Sequence, residues 1–218
     1  MKVAREGIPW IVGMAFTGVV LAVLGLAMGA RIWAVGLLGI GLAGAALMLG
    51  FFRDPERTPP ADSQLVVSGA DGRVMEVVEE HEPEFLKCSA VRISVFLSLF
   101  NVHVNRAPIG GRVVTVRYEP GRFRCGFDPR ASFENERNSI LIEGPPPCLV
   151  RQIVGILARR VVHWVTPGQV VERGQRIGLM KFGSRLDVYL PKETVEVLVR
   201  PGTIVRAGET AIARVRKE

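Results

Sequence analysis

The chain has 218 residues, 28 Lys+Arg against 21 Asp+Glu, and a formal charge of +7, enough length for one ordinary domain plus an extra segment. The basic balance favours anionic partners. The three cysteines (Cys88, Cys125, Cys148) are too widely spaced for a CxxC zinc site or a disulfide framework, and no metal site is expected.

The first third is apolar. Residues 8–30 ("IPWIVGMAFTGVVLAVLGLAMGA") and 32–52 ("IWAVGLLGIGLAGAALMLGFF") carry no charge. Each is long enough to cross a hydrocarbon core of about 30 Å as a helix. Only Arg31 separates them, so the spacing predicts a tight transmembrane hairpin over 1–52, with Gly36, Gly39, Gly41, Gly44 and Ala45 allowing close approach. A cleaved leader fits poorly, because the first run is too long for one and a second comes at once after it. Lys2 and Arg5 precede the hairpin, and Arg53 and Arg57 lie just beyond it. The positive-inside rule therefore puts both ends, and the rest of the chain, on the cytoplasmic side of the membrane. The polar, proline-rich "RDPERTPPADSQ" (53–64) reads as a linker.

From 65 to 218 the pattern is β. Short runs rich in Val, Ile and Leu, such as "SAVRISVFLSLF", "GRVVTVRYEP", "NSILIEG" and "DVYLP", are separated by Gly, Pro or Asn. Residues 149–163 fit helix or strand. The fold class expected is a β-dominated flattened barrel or sandwich after the two-helix hairpin. An internal repeat supports it: "PGQVVERGQ" (167–175) and "PGTIVRAGE" (201–209) each read as turn, short strand and turn, with glycines at positions that favour positive φ. These repeats resemble the half-motifs of biotinyl- and lipoyl-carrier domains, where a modified lysine sits on a hairpin tip. Lys181 and the pair Gly183-Ser184 fall in that region.

The stretch "GLMKFGSRLDVYLP" (178–191) reads as strand, turn and strand. A serine after a glycine on a strained turn can add to the preceding carbonyl and turn the amide into an ester, given a base and donors for the oxyanion. Elimination from that ester would cut the chain and leave dehydroalanine, which hydrolyses to a pyruvoyl group, an electrophilic ketone able to condense with an amine. A lone Gly-Ser-Arg is far more often an ordinary turn, so the reading depends on companions. Asp71, in "SGADGRVMEV", and His103, ending the apolar run of "FLSLFNVHVNRAPIGGRV", are the two candidates. Alone, the first reads as a turn former and the second as a buried core histidine.

Together "ADGRV" (70–74), "FLSLFNVHVNRAPIGG" (96–111), "NERN" (135–138) and "GQRIGLMKFGSRLDVYLP" (174–191) resemble the phosphatidylserine decarboxylases of the short, membrane-anchored prokaryotic type, in family order. The resemblance implies a proenzyme cut between Gly183 and Ser184 into a large chain (1–183) and a small chain (184–218). Ser184 would become the covalent pyruvoyl cofactor, with His103 and Asp71 as its catalytic companions and phosphatidylserine in the membrane as substrate. Many family members carry two histidines three residues apart where this chain has His103 and then Arg106. His103 then serves both maturation and decarboxylation, or Asp71 and a water cover one step, while Arg106 becomes a candidate for the substrate phosphate. The competing reading is a membrane-tethered carrier module modified at Lys181. A carrier lysine is expected in an acidic or Ala-Met context, unlike "LMKFGSR". Nucleic acid is not expected as a partner, since no binding module accompanies the charge; a homo-oligomer is left open.

Overall fold

The computed structural model describes residues 2–124, 130–155, 161–181 and 184–216. It divides into two compact units, 1–56 and 57–218.

In the first unit, α1 (Ile8–Ala27) and α2 (Arg31–Phe51) form an antiparallel hairpin around a turn in which Gly29 takes φ +74°. Two short strands, β1 (Lys2–Val3) and β2 (Arg53–Asp54), pair at its open end. Both helices are long and apolar enough to cross a membrane, by length and composition. Of the small residues expected at the interface, Gly41 faces Gly18 so closely that a Cβ on it would stand 2.5 Å from the Gly18 Cα. Gly44 packs on Met14, and Ala45 is buried. Gly36 and Gly39 meet nothing, and Gly25 against Ala34 supplies the contact instead. The seam runs along α1 positions 18 and 25 and α2 positions 34 and 41. That heptad spacing keeps one helix face in register with its neighbour, whereas Gly36 and Gly39 point elsewhere.

The second unit is built from β-strands, as the alternation predicted. An eight-stranded antiparallel sheet runs in the order β11 (Val170–Val171), β7 (Gly111–Glu119), β8 (Arg137–Glu143), β9 (Cys148–Ile153), β13 (Ser184–Pro191), β5 (Cys88–Leu97), β4 (Gly72–Glu82), β15 (Ile204–Val205). Two three-stranded sheets accompany it: β10 (Val161–His163), β12 (Arg176–Met180), β6 (Val104–Arg106), and β14 (Val195–Val197), β16 (Ala211–Val215), β3 (Leu65–Val67). Strands β9 and β10 take up most of the described residues in the ambiguous 149–163 segment; 156–160 fall outside the described residues.

Alternation places Val91, Ile93, Val95 and Leu97 of β5 and Leu186, Val188 and Leu190 of β13 in the common core. The opposite face of the same strands carries Arg92, Ser94, Arg185, Asp187 and Tyr189, all buried. The short helix α3 (Ala131–Glu134) reaches this face, where Ser132 Oγ donates to Asp187 Oδ2 at 2.8 Å.

The sequence repeat is a structural one. Gly168, Gly174, Gly202 and Gly208 all have φ between +75° and +93°, as the turns require. Val171 pairs with Gly111 and Val205 with Gly72, so each repeat strand lies against the start of a long strand. This exposes a second correspondence, one that the repeat alone does not announce: "DGRV" (71–74) is matched by "GGRV" (110–113), with Asp71 standing where the other half has Gly110. Residues 57–64 are held on this unit, with Arg173 donating to the carbonyls of Pro60, Asp62 and Leu65 at 2.6–2.7 Å.

Candidate active site

Ser184 is the first residue of β13 and pairs with Leu97, the last of β5. One residue further in, Arg185 pairs with Phe96, which also pairs with Arg73 near the start of β4. Asp71 leads into β4 at that same end. Beyond Leu97 the chain makes a tight turn, in which Asn101 Oδ1 accepts from Ser98 N at 2.9 Å and from Ser98 Oγ at 2.6 Å. It re-enters as β6, antiparallel to β12, with Met180 N donating to the His103 carbonyl at 3.2 Å. The register therefore gathers Ser184, His103 and the approach to Asp71 at one end of the large sheet. Gly183, the other half of the expected cleavage site, lies outside the described residues.

Ser184 is fully buried, and its Oγ has no hydrogen-bond partner among the described residues. A buried hydroxyl is ordinarily bonded, so an orphan here asks for a chemical reason. His103 is also fully buried, with Nδ1 2.9 Å from the Asn101 carbonyl. A carbonyl can only accept, so Nδ1 carries a proton, and the neutral form of the ring has its lone pair on Nε2. The backbone turn thus fixes the tautomer of the neutral ring.

Asp71 is held differently. Its Oδ1 accepts from Ala207 N at 2.8 Å, tying down the second repeat turn, and its Oδ2 accepts from Arg57 Nη2 at 2.9 Å. Arg57 also reaches Glu209 at 3.0 Å and is largely buried. At the matching place in the other half, a Cβ on Gly110 would meet Arg173 N at 3.4 Å, so the aspartate fills a position that the first repeat leaves bare. In the sequence Arg57 is only a positive charge after the hairpin; its specific partner emerges from the fold. Arg106 is buried, with Nη1 donating to the Gly174 carbonyl at 2.8 Å and its stem under Gly208, so it bridges the two repeat turns.

Immediately behind Ser184 stands a charged cluster that sequence reasoning passed over. Arg185 Nε bonds Asp187 Oδ1 at 2.7 Å, and Arg185 Nη2 reaches Glu76 Oε1 at 2.5 Å. Arg92 joins Glu76 at 2.6 Å and Glu80 at 3.0 Å. The available signal was charge at alternate positions inside apolar strands, "VRISV" and "SRLDVYL". Burial pushes the Glu76 carboxyl up, but hydrogen bonds and charge from Arg92 and Arg185 outweigh it and hold the group below the usual 4.5. Because its folded value is depressed, its stabilising contribution is complete above pH 4.5 and is lost as pH falls through the folded value. Thermal unfolding in detergent should accordingly show an acid-side loss of stability that is smaller in Glu76→Gln; an identical acid limb in both proteins would deny the ion pair that role.

Among the described residues no group of three His, Cys, Asp or Glu side chains is placed to hold a metal ion. Cys88 and Cys148 are free thiols, and burial pushes both up; Cys125 lies outside the described residues.

The end of the large sheet thus carries a buried serine at the first position of a strand, without a hydrogen-bond partner among the described residues, and a buried histidine whose Nδ1 faces a carbonyl, features of a protein with an enclosed polar site. Similarity to known proteins names the family. The family model for phosphatidylserine decarboxylase matches residues 45–213. A phosphatidylserine decarboxylase proenzyme of Carboxydothermus hydrogenoformans is 44% identical over 213 residues, covering 97% of this chain and 96% of the relative. Those of Symbiobacterium thermophilum (46% over 215 residues, 97% and 95%) and Geobacter metallireducens (44% over 212 residues, 96% and 95%) bear the same name. The chain belongs to the phosphatidylserine decarboxylase family. The carrier reading centred on Lys181 finds no support in these matches.

Proposed function

We propose that the chain is a proenzyme that cuts itself between Gly183 and Ser184, and that the matured protein decarboxylates phosphatidylserine to phosphatidylethanolamine and carbon dioxide. The observation that carries the reading is the buried Ser184 Oγ at the head of β13, without a hydrogen-bond partner among the described residues. A hydroxyl enclosed without a hydrogen-bond partner among the described residues is left available to add to the adjacent carbonyl. The same enclosure suits a pyruvoyl group derived from Ser184, because a dry site keeps a ketone from idle hydration.

His103 Nε2 takes the serine proton as general base, its ring aimed by the Asn101 carbonyl. Asp71 fixes the 201–209 turn and, with Arg57, sets the charge at that end of the sheet. A pyruvoyl group at Ser184 would supply an electron-withdrawing ketone able to condense with the substrate's amine and take up electrons from its carboxylate-bearing carbon. Around it the chain encloses the site and holds a proton at His103 for the carbon that has lost carbon dioxide. Arg106, with one N–H on the Gly174 carbonyl, is a candidate for the lipid phosphate. The two apolar helices anchor the chain in the cell membrane with the second unit on the cytoplasmic side, where a diacyl substrate is met without leaving the bilayer.

The test is direct. Purified protein on phosphatidylserine vesicles should release carbon dioxide and phosphatidylethanolamine in equal amounts. Mass spectrometry should find chains 1–183 and 184–218, the second beginning with pyruvoyl. Turnover by a chain that stays whole would overturn the reading.

A further inference from the structure

Three amide side chains, far apart in sequence, are stacked in the core of the second unit. Asn138 on β8, Gln152 on β9 and Asn105 on β6 are all fully buried. Asn138 Nδ2 donates to Gln152 Oε1 at 3.0 Å, and Gln152 Nε2 donates to Asn105 Oδ1 at 2.8 Å. The amide chain thus runs head to tail in one direction, crossing from the large sheet to the sheet that holds β6. It has two loose ends: Asn138 Oδ1 and Asn105 Nδ2 have no partner among the described residues.

Room for this crossing is made by Gly178, the register partner of Asn105. A Cβ there would stand 2.9 Å from Gln152 Nε2 and 2.3 Å from the Val162 carbonyl. The location is that of the site. Leu186 pairs with Gln152, so Ser184 is the diagonal neighbour of Gln152 on the same face, at the roughly 7–8 Å spacing typical of such pairs. Asn105 is two residues on from His103. Three buried polar atoms without a partner among the described residues, Ser184 Oγ among them, therefore sit on residues that hydrogen bonds and strand register link through Gln152. Aligned hydrogen bonds polarise one another, so a one-way amide chain delivers its strongest donor at its free N–H end.

We propose that Asn105 Nδ2 is an oxyanion donor for self-cleavage, with Gln152 and Asn138 as the positioning residues that orient and polarise it; this rests on the self-cleavage reading above. In the first step Ser184 Oγ bonds to the carbonyl carbon attached to its own nitrogen, its proton passes to His103, and the carbonyl π pair moves onto oxygen. Asn105 donates to that oxyanion. Collapse then breaks the C–N bond, the proton goes to nitrogen, and the amide has become an ester. The donor is neutral and already in place, so it stabilises the charge as it forms without adding a buried charge of its own.

The test uses the full chain and two substitutions that keep volume while removing the free N–H in different ways. Asn105→Asp still accepts from Gln152 but replaces the free N–H by oxygen. Asn138→Asp cannot donate, so Gln152 turns to donate to it. Asn105 then turns to donate to Gln152, and the free N–H is lost from an unaltered Asn105. Each folded variant should process on the order of 100-fold more slowly, the usual effect of losing one oxyanion donor. Hydroxylamine, which cleaves esters, should release no fragment from either, because the block precedes the ester. Wild-type rates in both folded variants, or accumulation of a hydroxylamine-cleavable ester, would overturn the proposal. Should one variant fail to fold, the other decides on the same two readouts. A wild-type chain that never cuts itself would instead count against the self-cleavage reading.

Discussion

Ser184→Ala in the full chain is expected to remain a single polypeptide with no decarboxylase activity. On the proposed reading the loss is complete, because the substitution would remove both the nucleophile for cleavage and the atoms from which a pyruvoyl group would form. It should not arise from misfolding. Ser184 Oγ makes no hydrogen bond among the described residues, so removing it leaves no partner unsatisfied, and the folded chain should be as stable as the wild-type precursor or slightly more so. His103→Ala should also accumulate precursor, since it removes the proposed base, whose tautomer the Asn101 carbonyl sets. The two variants separate under added imidazole, a small base that can restore slow cleavage to a folded His103→Ala but not to Ser184→Ala. Electrophoresis and intact mass read both. A Ser184→Ala chain that still breaks at this position would remove the serine from the chemistry.

The largest expected effect on stability belongs to Asp187. Its carboxylate is fully buried and bonded to Arg185 at 2.7 Å and Ser132 at 2.8 Å, with Arg92 at 3.9 Å. Asp187→Ala leaves two largely buried guanidinium groups sharing the partly exposed Glu76 and Glu80. Breaking a buried pair from one side costs about 3–5 kcal/mol, far more than the pair contributes over an apolar substitute. The double variant Arg185→Met, Asp187→Leu should therefore recover most of the stability lost by Asp187→Ala, because no new charge is left without its partner. Thermal unfolding of the Ser184→Ala precursor measures this without interference from cleavage. A double variant no more stable than the single one would mean that packing against α3, through Ser132, is what Asp187 mainly supplies.

The sequence alone determined the two apolar helices, the β class of residues 65–218, the repeat turns with their left-handed glycines, and the motif that singles out Ser184, His103 and Asp71. These are local properties. Hydropathy over twenty residues, alternation over six and a glycine's freedom at positive φ are all settled within a few residues of where they are read. Tertiary structure decided the rest. Gly18 and Gly25 meet the partner helix while Gly36 and Gly39 do not, according to which side of the hairpin carries the seam. Asp71 finds Arg57 and Ala207 only because the 201–209 turn folds back onto the start of β4. The Arg185–Asp187 cluster needs Glu76 and Arg92 brought alongside by strand pairing, and the amide chain joins residues 105, 138 and 152 across two sheets. Antiparallel pairing sets neighbours by register rather than by distance along the chain, so contacts between remote strands leave no periodic trace in any one of them.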